Sequence, residues 1–248
     1  MKYLALITMV FMIIISLVQA QDAKEIVSKA NELIRATSSY SEISMSIIKP
    51  TWSRDMKMKV WSLEPDYALI LITEPAKDKG MVTLKRLKEV WNWVPNVNRV
   101  IKIPPSMMMQ SWMGSDFTND DLVRQSSIVE DYTHAISGEE IIDGYDCYIV
   151  ELTPKPEAGV VWGKIITWIS KDGYLQLKAD HYDEDMSLIK SMIGSDVKKM
   201  GGRTIPAHWE MIPHDEPGQK TVMDYLDIKF NIDIDEEFFS QQNMRRVR

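Results

Sequence analysis

The sequence predicts a mainly β protein with helices (α+β), in which one antiparallel sheet curls into a half-open barrel. About ten runs of alternating apolar and polar residues follow one another, which is typical of half-buried strands. Short turn signals join these runs, among them Asp143-Gly144, Asp172-Gly173 and Gly201-Gly202. Such turns favour consecutive hairpins over βαβ units, so we expect a single meandering sheet.

The first 20 residues have the pattern of a secretory signal peptide. Lys2 provides a charged start, residues 4–18 are apolar, and Val18-Gln19-Ala20 resembles a cleavage site. We expect cleavage after Ala20 and a single domain over residues 21–248. Because no cysteine stands at the cleavage point, the mature chain is expected to be periplasmic and soluble rather than lipid-anchored.

Composition limits the classes of function. The net charge of −7 argues against a nucleic-acid partner. Cys147 is the single cysteine, which excludes an intramolecular disulfide, and its place within an apolar run predicts a buried thiol. The 17 methionines suit either ordinary core filling or a surface that adapts to variable apolar partners.

A long amphipathic helix is predicted directly after the signal. Asp22-Ala23-Lys24-Glu25 has the pattern of a capping box. Apolar residues then recur at helical spacing as far as Ile34, and the helix is expected to end near Thr37.

Several predicted strands carry large apolar side chains on one face. Met56, Met58 and Val60 alternate with polar residues, whereas residues 67–73 are apolar on both faces and predict a central strand. Other pairs that share a strand face are Trp91 with Trp93, Ile101 with Ile103, and Trp162 with Trp168.

Residues 107–113 predict a short helix rich in methionine. Pro104-Pro105 precedes it, Ser106 is a suitable N-cap, and Gly114 offers a stop. A helix of about two turns cannot stand alone in water, so it must cover something apolar. Thr118 to Asp121 then predicts a second cap, followed by another short helix over residues 122–125.

We find no catalytic or metal-binding pattern. There is no Gly-x-Ser-x-Gly, no phosphate-binding glycine loop and no His-Glu-x-x-His. His181, His208 and His214 have acidic neighbours, but most of these groups lie in predicted turns. The interpretation is therefore a protein that is not an enzyme, holds no metal and needs no cofactor; the basic end, Arg245-Arg246-Val247-Arg248, is interpreted as solvated.

The apolar side chains of the sheet and of the 107–113 segment leave two alternatives. If a helix fills the hollow of the sheet, they are core residues; if the hollow stays open, they line a pocket for an apolar ligand. The candidate cavity and lid residues are Met56, Met58, Val60, Trp91, Trp93, Ile101, Ile103, Met107, Met108, Trp112, Met113, Phe117, Trp162 and Trp168.

Five motifs resemble the outer-membrane lipoprotein-sorting protein family, the LolA-like proteins. They are the segments 91–95, with the letters WNWVP; 99–103, RVIKI; 112–122, WMGSDFTNDDL; 201–211, GGRTIPAHWEM; and 220–225, KTVMDY. The resemblance covers most of residues 21–248. It implies a half-closed antiparallel barrel of about eleven strands capped by helices. It also implies a concave apolar face that binds lipid.

Two functions are compatible with these expectations. The first is a periplasmic carrier that holds lipoprotein acyl chains or other lipids, with residues 107–113 acting as a lid. Inner- or outer-membrane transport proteins would then deliver or receive the cargo. The alternative is a non-carrier envelope sensor or an accessory subunit of a membrane transporter, since one fold can serve several functions.

Overall fold

The protein is built on one antiparallel sheet. The computed structural model describes residues 22–108, 110–119, 121, 127–158, 160 and 162–247, so the predicted signal peptide lies outside the described residues. The strands are β1 (Ser38–Lys49), β2 (Trp52–Leu63), β3 (Tyr67–Glu74), β4 (Val82–Arg86), β5 (Glu89–Val94), β6 (Arg99–Lys102), β7 (Tyr132–Ile142), β8 (Tyr145–Pro154), β9 (Lys164–Ser170), β10 (Gln176–Tyr182), β11 (Leu188–Met200), β12 (Arg203–Pro213) and β13 (Lys220–Phe230).

The spatial order of the 13 strands is β6-β5-β4-β3-β2-β1-β13-β12-β11-β10-β9-β8-β7. The mainly β, curled and open architecture is confirmed, with 13 strands where ten or eleven were expected. In the described part of the chain, β6 and β7 form the two unpaired edges. Most neighbours are hairpin partners; Asp143 and Gly144, with φ of 48° and 83°, form the left-handed turn that a two-residue hairpin requires.

The predicted N-terminal helix forms over residues 22–34. Its Ala23, Ile26, Val27 and Ala30 are buried against β7 to β10, chiefly on Tyr132, Val150, Leu152, Ile165 and Ala179. The small alanines allow the helix to approach the sheet closely. Burying Ile26 and Val27 contributes about 1.5–3 kcal/mol each, which holds the helix in place. We call the face of the sheet that carries this helix the inner face.

The C-terminal segment packs on the opposite, outer face. It contains a 3-10 helix, Glu236–Phe238, and a short α-helix, Gln241–Met244. Phe239, Met244 and Val247 are buried in one cluster with Leu69, Leu71, Val82, Leu84 and Trp93. The solvated end predicted for residues 245–248 is therefore wrong for Val247, which belongs to the core, whereas Arg245 and Arg246 are exposed. The alternation of β3 explains its continuous apolar run: Leu69 and Leu71 face outward, whereas Ile70 and Ile72 face inward.

The connection between β6 and β7, residues 103–131, differs from the prediction; we call it the crossing segment. A 3-10 helix covers Pro105–Met107, and the chain then reverses so that Ser111 bridges Thr118. Met113 and Gly114 take φ of 54° and 82°, which ends any right-handed helix there. The predicted helix over residues 107–113 is therefore wrong. The predicted helix over residues 122–125 lies outside the described residues.

Candidate functional site

The inner face encloses a cavity of about 350 Å³, within the size range of small-molecule sites. It lies between β1 to β4 on one side and β10 to β13 on the other, under the crossing segment. Its apolar lining consists of Ile34, Ile43, Met45, Met58, Val60, Ala68, Ile70, Trp112, Phe117, Met192, Met211, Met223 and Ile228. The core residues of this half of the sheet therefore leave space instead of closing on one another.

The register of the strands gives this lining a gradient of polarity. Ser39 pairs with Ser62, Ser62 with Ala68, and Ala68 with Lys85, so one row across four strands is small or polar. The next rows inward carry Ser41, Val60, Ile70 and Thr83, then Ile43, Met58 and Ile72, then Met45 and Met56. The cavity is polar at one end and apolar farther along the same strands.

The crossing segment covers the cavity and is fixed by polar contacts along its length. Trp112 Nε1 donates to Thr83 Oγ1 on β4 at 3.2 Å. Asp116, whose side chain is buried, accepts from Thr221 Oγ1 on β13 at 2.6 Å and pairs with Lys49 of β1 at 3.0 Å. The segment thus contacts β4 first and then β1 and β13 farther across the sheet, which places Trp112 and Phe117 over the hollow.

Asp121 fixes the far part of the crossing segment. Its carboxylate accepts from the Thr118 backbone N–H at 2.7 Å, and Thr118 Oγ1 accepts from the Asp121 N–H at 3.1 Å. These reciprocal bonds are the cap predicted from sequence, whereas Asp116 serves as an anchor to β1 and β13. The same Asp121 carboxylate pairs with the buried Lys190 on β11 at 2.9 Å.

Lys190 and His181 form one polar part of the lining. The Lys190 ammonium lies 4.8 Å from the centre of the Trp162 ring, and the His181 ring lies 5.1 Å from it. Burial lowers the pKa of His181 to about 4, and the Lys190 charge acts in the same direction. His181 Nδ1 is buried without a hydrogen-bond partner in the described part of the chain. Lys190 is neutralised by Asp121, and His181 is uncharged near neutral pH.

The polar row continues into a second charged group at the other end of the cavity. Lys85 is 6% exposed, and its ammonium donates to the Pro65 carbonyl at 2.7 Å. Arg35 and Glu64 lie beside it and pair at 3.5 Å. Burial lowers the pKa of Lys85, which Glu64 partly opposes. Burial likewise raises the pKa of Tyr225, and the negative charge of Glu64 adds to that rise.

Three solved structures share this fold along nearly their whole length. A DUF1329 family protein from Desulfovibrio piger is 27% identical, with a TM-score of 0.81, covering 91% of this chain and 99% of its own. An outer membrane lipoprotein-sorting protein domain from Vibrio parahaemolyticus is 22% identical, with a TM-score of 0.79, over 92% of this chain and 100% of its own. A LolA superfamily protein from Nitrosomonas europaea is 23% identical, with a TM-score of 0.74, over 89% and 98%.

A protein-family model described as an uncharacterized "-like" protein matches residues 64–246, well over half of the chain. The chain belongs to this family of uncharacterized proteins, and it shares the fold of the LolA superfamily protein. The structural matches to a lipoprotein-sorting protein domain and to a LolA superfamily protein agree with the resemblance seen in the sequence motifs. No curated protein matches the chain.

The LolA-like fold brings together part of the predicted site. Met58, Val60, Trp112 and Phe117 line the cavity. Met56 and Met113 pack in the apolar cluster around Trp112, directly behind that lining. These six residues come from the stripe of β2 and from the crossing segment, as the sequence pattern suggested.

Other predicted residues lie elsewhere. Trp91 and Trp93 lie on the outer face under the C-terminal segment, because they pair with Leu84 and Val82 of β4, which face outward. Thr83 and Lys85, which alternate with Val82 and Leu84 along β4, face the cavity instead. Trp168 belongs to a separate cluster with Cys147 and Leu177. Trp162 packs against the helix-covered part of the sheet. Their predicted place in the cavity lining is corrected accordingly.

The predicted residues of β6 and its exit are peripheral. Ile101 is 45% exposed and Met107 is 37% exposed, and Ile103 and Met108 are half-buried away from the cavity lining. The edge position of β6 leaves one side of this strand open to solvent. Met107 and Met108 therefore do not line the cavity, whereas Trp112 and Phe117 of the same segment do.

Sequence reasoning missed the contribution of the strands nearest the chain ends. Met211, Met223, Tyr225 and Ile228 line the cavity from β12 and β13, and Ile43 and Met45 line it from β1. Their alternation was visible in the sequence, but the pairing of β1 with β13 was not. The charged residues Arg35, Glu64 and Lys85 had no sequence signal that pointed to a cavity.

Two further structural expectations concern metals and membranes. In the described ranges, no three His, Cys, Asp or Glu side chains come close enough together to hold a metal ion. His208 instead contacts Asp224 at 2.7 Å. Over the same ranges, none of the helices combines the length and apolar character needed to cross a membrane.

Proposed function

We propose that this LolA-like protein is a periplasmic carrier that holds a lipid, or the acyl chains of a lipoprotein, in the cavity of the inner face. The observation that carries the proposal is the apolar cavity of about 350 Å³ under the crossing segment. Each methylene moved from water into such a lining contributes about 0.8 kcal/mol, so even one chain binds with useful affinity.

The way in which the crossing segment covers the cavity supports exchange of a bound lipid. Trp112 and Phe117 close the space and pack in the apolar cluster of the inner face, and hydrogen bonds and ion pairs attach the crossing segment at its margin. Water can replace these polar contacts when the segment moves, and a bound acyl chain can replace the apolar contacts of Trp112 and Phe117. The predicted signal peptide supports a place of action outside the cytoplasm.

The first experiment asks what the protein carries. The full chain, expressed in its own envelope and purified without detergent, is analysed by native mass spectrometry and lipid extraction. We expect a stoichiometric lipid and binding of the apolar fluorophore Nile red. A protein that brings no lipid and takes up no fluorophore would contradict the proposal and favour a protein-binding role.

A matched pair of variants tests the location. Ser41 is buried in the cavity lining, whereas Ser44 lies between Ile43 and Met45 and therefore faces outward. Ser41→Phe fills the cavity and is expected to weaken Nile red binding at least about tenfold. Ser44→Phe adds the same ring to the same strand and should bind as the wild type does. Equal binding by both variants would place the ligand elsewhere.

A further inference from the structure

The charged groups of the cavity lining do not balance. Three cations face it, Arg35, Lys85 and Lys190, against two carboxylates, Glu64 and Asp121. Since His181 is neutral at neutral pH, the lining carries one net positive charge in a chain whose own charge is −7. An apolar cavity has no need of an extra cation, because burying an unneutralised charge is costly.

The excess charge is located at Lys85. Lys190 has the Asp121 carboxylate at 2.9 Å, and Arg35 has Glu64 at 3.5 Å. Lys85 has a neutral carbonyl, that of Pro65, and no carboxylate lies within 4.0 Å of its ammonium in the described residues. An ammonium has three donor hydrogens, so this buried group has room for an anionic acceptor.

The surroundings of Lys85 suit a headgroup. Ser39 and Ser62, in the same row, share a hydrogen bond of 2.7 Å and offer further hydroxyl contacts. Arg35, Glu64 and Pro65 line both the cavity and an open depression formed with Thr37, Arg203 and Asn231. The polar row thus lies where the cavity meets the surface, and the apolar rows run inward from it.

We propose that the row of Ser39, Ser62 and Lys85 binds the anionic headgroup of a lipid, a carboxylate or phosphate, whose chain extends inward along Val60, Met58 and Met223. The inference rests on the proposed function and names its ligand class. A charge-assisted hydrogen bond from Lys85 selects the acid over a neutral lipid of equal length. The pKa of Lys85 agrees with this, since burial lowers it by more than the negative charge of Glu64 raises it.

The test measures displacement of Nile red by palmitate, by hexadecyl phosphate and by the uncharged palmityl alcohol. Wild type is expected to prefer both anions over the alcohol by about tenfold or more, the effect of one charged hydrogen bond. Lys85→Gln should lose that preference while it keeps its affinity for the alcohol. Lys85→Arg should retain the preference, and Lys88→Gln, an exposed change in the next turn, is the charge-matched control.

The outcomes separate the two proposals. Binding of the alcohol and the anions with equal affinity overturns the headgroup site and leaves the carrier proposal standing, whereas no binding of any chain overturns both. An equal loss for all three ligands in Lys85→Gln assigns Lys85 a structural role and overturns the inference. Inorganic phosphate that binds in a Lys85-dependent way, while the two lipid anions bind no better than the alcohol, would assign the site to a free anion and overturn the inference.

Discussion

The inner face of the sheet is covered in two different ways. Over β7 to β10, residues 22–34 fill the hollow, and Ala23 and Val27 are fully buried. Over β1 to β4 and β10 to β13, the crossing segment covers the hollow with Trp112 and leaves a cavity. Both regions present similar aliphatic side chains. What covers a strand therefore decides whether its apolar face becomes closed core or the lining of a cavity.

The largest expected loss of stability comes from a charge placed in the helix-covered region. Val27→Asp places a charge on the fully buried side of the helix, which costs about 4 kcal/mol or more and threatens the fold itself. Urea denaturation followed by circular dichroism measures the change. Asn31→Asp, a half-buried position on the same helix, is the control and should cost little. A small loss in Val27→Asp would mean that the helix contributes little to stability.

A truncation in the covered cavity is expected to cost less. Trp112 is 3% exposed, but one side of its ring already borders open space. Trp112→Ala should therefore lower the free energy of unfolding by about 2–3 kcal/mol, below the usual range for a buried aromatic residue. In addition, the loss should shrink when bound lipid fills the enlarged space. Equal losses with and without lipid would show that Trp112 is ordinary core.

Acidification should lower the stability of the protein through His181, which lines the cavity. Its pKa is about 4 in the folded protein and about 6.5 when unfolded, so protonation favours the unfolded chain. Stability is complete above pH 6.5 and falls as the pH drops toward 4, by up to about 3 kcal/mol. Urea titrations across this range should show the slope in the wild type and a shallower one in His181→Gln. An unchanged slope would contradict the role of His181.

The smallest expected loss of stability comes from replacing either of two buried threonines. Thr83→Val removes the acceptor for Trp112 Nε1, and Thr167→Val removes a hydroxyl bonded to the Lys178 carbonyl under the N-terminal helix. Each should cost about 1 kcal/mol of stability. Stopped-flow release of Nile red should be faster in Thr83→Val alone, because of the two hydroxyl groups only that of Thr83 bonds to the crossing segment. Equal release rates would argue that the crossing segment does not gate exchange.

Local pattern was sufficient to predict most of the fold. Alternating residues and Asp-Gly or Gly-Gly turns fix strands and hairpins from neighbouring positions, and the capping box at Asp22 marks the helix. The pairing of β1 with β13 joins residues nearly the whole chain apart, and no local signal encodes it. The Tyr67–Glu74 strand likewise showed two apolar faces without showing what covers each.

The candidate site was predicted in part for the same reason. Met58 and Trp112 were found because the apolar stripe of β2 and the apolar segment over residues 107–113 are visible in the sequence. Trp91 and Trp93 were misplaced, because an apolar strand face does not say which side of the sheet it takes. The burial of Lys85 depends on the rows of three neighbouring strands and on the Glu64-Pro65 turn. Charged residues in strands are usually exposed, so nothing singled it out.

The pairing of β1 with β13 makes the two halves of the chain depend on each other for folding. Residues 22–102 supply β1 to β6 together with the helix that covers β7 to β10, and residues 132–247 supply β7 to β13 together with the segment that covers β3 to β5. Each half therefore carries the helical segment that buries an apolar face of the other half. A protein cut once within the crossing segment should behave as a split pair, in which two fragments recognise and complete each other without a covalent link.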